Sequence, residues 1–219
     1  NPTITTLTGA WGAKFAMEID EARGQLYFFS NSNLFFRVRL SDMAILAQYQ
    51  LAQSGTNGHM QYPNLYLDDY GHLYLAWTTS RTAAATTLCG NNGLYWSIHF
   101  MRSLDGGVTW TKPNGEPLTT PIVADETGEF PADEISLVGD HCQSPWLSSF
   151  MVKGDKAHFF YTAGSQHYVR YDLATAHIDS NTSPCEGDNV SIGNLDGICA
   201  TRRSIKEIFY VSKSTDNRI

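Results

Sequence analysis

Several things are scarce in this chain of 219 residues, and each scarcity excludes something. There is no run of Lys and Arg to neutralise a phosphate backbone, and the formal net charge is −7, which argues against a nucleic-acid partner. No apolar stretch approaches the roughly 18 residues of a helical membrane span. Charged residues make up only 17% of the chain. The four cysteines, Cys89, Cys142, Cys185 and Cys199, form no CxxC pair and no zinc-ligand spacing. No pair of carboxylates declares itself as a glycosidase couple.

What is present points to strands. Aromatic residues reach 12% and hydrophobic residues 42%, with 18 glycines to turn the chain. Short apolar runs are separated by turn residues: "FAMEID" (15–20), "QLYFFS" (25–30), "LFFRVRL" (34–40) and "AILAQYQL" (44–51). A second group is "YPNLYLD" (62–68), "HLYLAWTT" (72–79) and "LYWSIHFMRS" (94–103), with Trp110 opening a fourth strand. A third is "SPWLSSFMV" (144–152), "KAHFFYTA" (156–163), "QHYVRYDL" (166–173) and "TAHID" (175–179). A partial fourth group begins near Cys199 and includes "EIFYVSKS" (207–214). The spacing predicts an all-β protein, a β-propeller of four-stranded antiparallel blades over about 10–51, 60–115 and 143–180 with a partial blade at 199–219. The competing architecture is a β-sandwich of about a dozen strands. Propellers close with about four to eight blades. About three and a half are counted, so 1–219 is expected to be one incomplete domain. The missing blades would come from further polypeptide or from a second chain, the former favoured.

Residues 103–110, "SLDGGVTW", fit Ser/Thr-x-Asp-x-Gly-x-Thr-Trp. This resembles the Asp box of BNR-repeat propellers, found in sialidases and other carbohydrate-active families. The physics is that of a tied hairpin. Asp105 can accept backbone N–H bonds, Gly106 and Gly107 permit positive φ, Ser103 and Thr109 can add side-chain bonds, and Trp110 can plug the seam to the next sheet. The longer context, "YPNLYLDDYGHLYLAW" followed by "RSLDGGVTWTKPNGEPLTTPI", resembles propeller-type polysaccharide lyases, the ulvan lyases among them, over about 57–123. In those lyases a His precedes the "YP" strand, and His59 occupies that place. The place of a second His, near Thr79 to Arg81, holds none, and the sialidase Arg-Ile-Pro is absent.

Propeller geometry would gather Trp11, Asn31, His59, Gln61, Tyr62, Thr79, Arg81, His141, Gln143, His167, Arg202 and Arg203 on one rim, with the Asp-box turn at the opposite end. An acidic glycan suits a rim rich in His and Arg, because the guanidinium fork matches a carboxylate. The lyase reading assigns His59 as base or carboxylate neutraliser, Tyr62 as acid or base, and Arg81 to the substrate carboxylate. The substrate-binding candidates are Trp11, Gln61, His141, Gln143, His167, Arg202 and Arg203. Structural alternatives stand beside these roles: a loop cap for His59, blade-edge packing for Tyr62, a solvated loop charge or an ion pair for Arg81. His99 reads as a packed strand residue. Asp68-Asp69 reads as a turn, with a structural calcium ion compatible; elimination itself requires no cofactor. A sialidase-like glycosidase, a non-catalytic glycan-binding module and a structural propeller remain open alternatives. An even cysteine count in loops suits an oxidising compartment, with Cys185–Cys199 and Cys89–Cys142 as the favoured pairs. The sequons at Asn181 and Asn189 and a start at Asn1 without Met are compatible with secretion after removal of a signal peptide.

Overall fold

The computed structural model describes residues 14–30, 32–56, 58–81, 95–124, 133–136, 138–180, 195–200 and 208–212. These residues hold strands and one 3-10 turn, and no α-helix. Among them no helix is long and apolar enough to cross a membrane.

The first sheet is an antiparallel meander of β1 (Ala16–Asp20), β2 (Gln25–Phe29), β3 (Leu34–Arg39) and β4 (Ile45–Gln50). Then β5 (Ala52–Ser54) leads into β6 (Gly58–Leu67), β7 (Leu73–Arg81) and β8 (Tyr95–Ser103). The strands β9 (Ile122–Ala124) and β10 (Asp133–Glu134) follow, and β10 completes the second four-stranded sheet in the order β10-β8-β7-β6. The third sheet is β11 (Trp146–Lys153), β12 (Lys156–Ala163), β13 (Ser165–Asp172) and β14 (His177–Ser180). A two-stranded sheet pairs β15 (Leu195–Ala200) with β16 (Ile208–Ser212). The first strands neighbour one another in chain order: β1 lies on β6, β6 on β11, and β11 on β15. Three successive four-stranded antiparallel sheets packed in this way are consistent with propeller blades.

One boundary differs from the sequence expectation. Trp110 does not open the outer strand of the second sheet. The chain after the turn makes isolated bridges, Thr111 to Arg102 and Thr111 to Pro117, and the outer strand is Asp133–Glu134, paired with Phe100 and His99. Before it, β9 pairs in parallel with β5 as a separate two-stranded sheet. Burial drives the pairing, since Ile122 and Ala124 are sealed in the core between the first two sheets.

Alternation sorts the apolar residues into seams. Tyr27, Phe29 and Phe35 from the first sheet meet Leu73, Leu75, Trp77 and Trp110. On the opposite face of the second sheet, Tyr74, Ala76 and Phe100 meet Phe150, Phe159 and Tyr161. The outer face of the first sheet carries Phe28, Phe36 and Val38, edged by Phe15, Met17 and Ile19, which are 52%, 54% and 50% exposed.

The turn at 103–110 forms the expected network. Asp105 accepts from Val108 N (3.0 Å), Thr109 N (2.9 Å) and Thr109 Oγ1 (2.7 Å), and Ser103 Oγ donates to it at 2.8 Å. Burial alone would raise the Asp105 carboxyl, but these bonds outweigh it and hold it below its ordinary value. Gly107 sits at φ +81°, and a Cβ there would lie 2.3 Å from the Phe35 ring. Trp110 stands edge-on to Phe35 and donates from Nε1 to Tyr49 Oη at 2.7 Å.

The third sheet buries a histidine the sequence did not single out. His158 shares a 2.8 Å hydrogen bond with Tyr168 Oη, and burial, followed by Arg170 and Lys156, pushes it down to about 4. A group depressed in the folded state contributes stability that is present above its unfolded value, 6.5, and is lost as the pH falls through the folded one. A loss of up to about 3 kcal/mol between these limits is expected, and His158→Gln should flatten it in urea titrations at stepped pH. Glu18, raised by burial to about 7, acts in the opposite sense. Its contribution is present below 4.5 and lost as the pH rises through 7, so the His158 variant isolates the effect better than the wild-type curve.

Candidate functional site

The ends of the strands define one rim. His59, Gln61 and Tyr62 open β6, Arg81 closes β7, Tyr95 and Trp96 open β8, Trp146 opens β11, and His167 lies near the start of β13. The tied turn at Asp105 lies at the other end of the same sheets. Within this rim the structure forms two clusters rather than one.

The first is centred on Tyr62. Between Gln61 and Asn64 the register of β6 against β7 shifts, and Tyr62 takes φ +48°. Positive φ is unusual for a bulky residue, more so before a proline, here Pro63, which favours extended backbone. A bulge of this kind re-aims a side chain. Asn64 steadies it by donating from Nδ2 to Tyr62 O at 3.1 Å. The re-aimed ring meets Tyr95 edge-on at 5.5 Å and Trp146 at 5.0 Å, and the Tyr62 and Tyr95 hydroxyls lie 2.9 Å apart. Because β1 lies on β6, Lys14 reaches across the seam. Its Nζ donates to Gln61 Oε1 and stands 3.8 Å from the Tyr62 ring centroid.

These neighbours set the electrostatics. The hydrogen bond with Tyr95, and then Lys14, lower Tyr62 from its ordinary value. Tyr95 is pushed up to about 12 by burial and by the same bond, in which either hydroxyl can donate. His59 is lowered by burial and by the Lys14 charge, which favours the neutral imidazole. The cluster therefore combines a neutral imidazole, an acidified phenol and a cation.

The second cluster gathers Arg81, Trp96 and His141. Arg81 is 7% exposed and its guanidinium lies over Trp96 at 5.2 Å. Trp96 packs on His141 at 4.7 Å, and His141 Nε2 is 2.5 Å from Glu134 Oε1, which also accepts from Ser136 Oγ at 2.9 Å. The ladder explains the separation. His59 is opposite Ser80 and Arg81 is opposite Gly58, so the two side chains project from opposite faces of the β6–β7 hairpin. The expectation that Arg81 shares a surface with His59 and Tyr62 is corrected on this point.

The other candidates fall as follows. Gln143 lies over the β12–β13 turn, its Oε1 2.2 Å from where a Cβ on Gly164 would be. His167 is at the same turn, stacked on Tyr161 at 4.9 Å with Nε2 3.2 Å from Ala163 O. Thr79 is buried beneath the rim, and His99 is buried against Trp77, as a packed strand residue should be. Asp68 forms a turn: Oδ1 accepts from Tyr70 N and His72 N, while Oδ2 faces His72 Nδ1 and Tyr74 Oη. No group of three or more potential metal ligands occurs among the described residues. Trp11, Asn31, Arg202, Arg203, Cys89, Cys185, Asn181 and Asn189 lie outside the described residues, as does the side chain of Cys199. Cys142 is disulfide-bonded, and none of the other three cysteines has a described side chain. Lys14, Tyr95 and Trp146 escaped sequence reasoning. The available signal was the aromatic opening of two rim-facing strands, "YW" at 95–96 and "PW" at 145–146.

No family model and no curated protein matches the sequence. Solved structures do. An ulvan lyase described as a new family of polysaccharide lyase superposes with a TM-score of 0.56 at 12% identity over 78% of this chain. An ulvan lyase of that family bound to -[GlcA(1-4)Rha3S]- gives the same values. The chain spans 44% of the length of each. The β-propeller domain of Myceliophteria thermophila Cps50 (Swd1) aligns at 10% identity over 84% of this chain and 43% of its own, with a TM-score of 0.43. At such identities the likeness concerns the fold. The chain has an all-β, propeller-like fold of the kind that carries a polysaccharide lyase.

Proposed function

We propose that this protein is an extracellular lyase that cleaves an acidic polysaccharide by β-elimination. The observation that carries the reading is the Tyr62 cluster: a phenol at a strained bulge, 2.9 Å from the Tyr95 hydroxyl, with Lys14 over its ring and the lowered His59 on the same strand. The ulvan lyase bound to -[GlcA(1-4)Rha3S]- supports uronate as the sugar class.

Elimination needs three acts. A cation beside the uronate carboxylate stabilises the charge that develops when the α-proton leaves, and Lys14 takes that role in place of Arg81. A base removes the proton at C5, and the neutral His59 imidazole has the free lone pair for it. The electron pair forms the C4–C5 double bond and expels the oxygen on C4. An acid protonates that oxygen, and the lowered value of Tyr62 makes its proton easier to give. Atoms and charge balance with no oxidant and no water, and no cofactor is required. Arg81 and Trp96 shape the second half of the rim, with His141, Gln143 and His167 as further substrate contacts. Additional blades, contributed by further polypeptide, would cover the apolar outer face of the first sheet.

The test is incubation with a polymer of -[GlcA(1-4)Rha3S]- without added metal. Growth of ultraviolet absorbance from the conjugated unsaturated uronate is expected. Binding without product would instead favour a glycan-binding module.

A further inference from the structure

Trp146 is large, apolar and 47% exposed, yet it is held in place. It lies 5.0 Å from the Tyr62 ring at 35° and 6.1 Å from the Tyr95 ring at 43°. The base of the ledge is rigid. Leu147, the next residue, donates from its backbone N to the buried Thr78 Oγ1 at 2.9 Å, which fixes the start of β11 against the end of β7. Exposing an indole costs hydrophobic free energy, and three aromatic rings converging from three strands of two sheets make a firm platform rather than a stray apolar side chain. A cation stands at its margin, since Lys14 Nζ contacts the far ring, that of Tyr62.

We propose that Trp146, backed by Tyr62 and Tyr95, is the stacking platform of an acidic-sugar subsite, with Lys14 selecting for the carboxylate. The C–H face of a pyranose ring is apolar, and an exposed indole offers it a flat partner of matching size. The sugar's hydroxyls stay at the wet edge, and its carboxylate is drawn toward the ammonium. The subsite binds the sugar neighbouring the scissile bond, so it deepens the lyase reading and rests on it for the identity of the ligand. Tyr62 then has two faces to its role. Its hydroxyl belongs to the chemistry, and its ring supports Trp146.

The probe is a tetrasaccharide of -[GlcA(1-4)Rha3S]- together with its carboxyl-reduced counterpart, titrated by calorimetry against the full chain. Trp146→Ala is expected to weaken tetrasaccharide binding by more than tenfold, and Trp146→Tyr to restore it to within about threefold. Lys14→Gln should remove the preference for the acidic over the reduced probe while the reduced probe binds as before. Near-ultraviolet circular dichroism confirms that each variant keeps its packed aromatics. Undiminished binding by a folded Trp146→Ala overturns the platform and leaves the lyase reading standing if product still forms. Trp146-dependent binding without product supports the platform and overturns the lyase reading. Failure of the wild type to bind either probe overturns both.

Discussion

Tyr62→Phe is expected to lower turnover by about 10²- to 10⁴-fold, the usual worth of a positioned general acid, with the melting temperature nearly unchanged. The variant keeps the ring, so its contacts with Tyr95 and Trp146 persist, and it removes one half-exposed hydroxyl whose net hydrogen bond contributes about 1 kcal/mol. A merely structural Tyr62 would show neither the loss nor any change in the pH profile, so the neighbours provide the sharper control. Tyr62 must be protonated to act as acid, and its value is lowered first by the bond with Tyr95. Tyr95→Phe should therefore move the alkaline limb of the rate profile to higher pH. His59 must be neutral to act as base, and Lys14 contributes to lowering it, so Lys14→Gln should move the acid limb upward. Steady-state rates across the pH range check all three variants on one axis. Unchanged turnover in Tyr62→Phe would remove Tyr62 from the chemistry.

The largest effect on stability is expected at Trp110→Ala, about 3–5 kcal/mol, because a sealed indole leaves a cavity its surroundings fill only in part. Trp110 is 1% exposed and lies where the tied turn meets the first sheet. The damage extends beyond the cavity. Tyr49 Oη accepts from Trp110 Nε1 and donates to Gly107 O at 2.6 Å, so losing the indole also unfastens the turn from the neighbouring sheet. Trp110→Phe should separate the two contributions, keeping most of the packing against Phe35 and losing the hydrogen bond. Urea unfolding of the three proteins gives the comparison directly. A cost below about 1 kcal/mol for the alanine variant would mean that the turn does not clamp the two sheets.

What was legible in the sequence follows from how local each signal is. Strands in the first and third sheets are short apolar runs between turns, and those turns carry their own chemistry at Asp20 to Gly24 and Lys153-Gly154. The turn at Ser103 to Trp110 could be read residue by residue because its hydrogen bonds close within seven positions. The outer strand of the second sheet was not legible. Asp133–Glu134 has only two residues, and its place depends on Tyr171, which donates to Asp133 from another sheet. The site divides along the same line. His59 and Tyr62 announce themselves as a His and a Tyr beside a proline at a strand entrance. Lys14 joins them only because β1 lies on β6, a contact 47 residues apart in the chain. Arg81 was misplaced because its strand neighbour Ser80, not Arg81 itself, opposes His59. Facing direction depends on a register that a bulge had shifted.

The reaction type is decided by the mass of the products. Treating the -[GlcA(1-4)Rha3S]- polymer with the protein in water enriched in heavy oxygen and weighing the fragments separates the alternatives. Elimination divides the chain without adding water, so the fragment masses sum to that of the substrate, one new end is short of a water, and no heavy oxygen is incorporated. Fragments that each carry normal ends, with one heavy oxygen gained per cleavage, would show hydrolysis and rule out elimination.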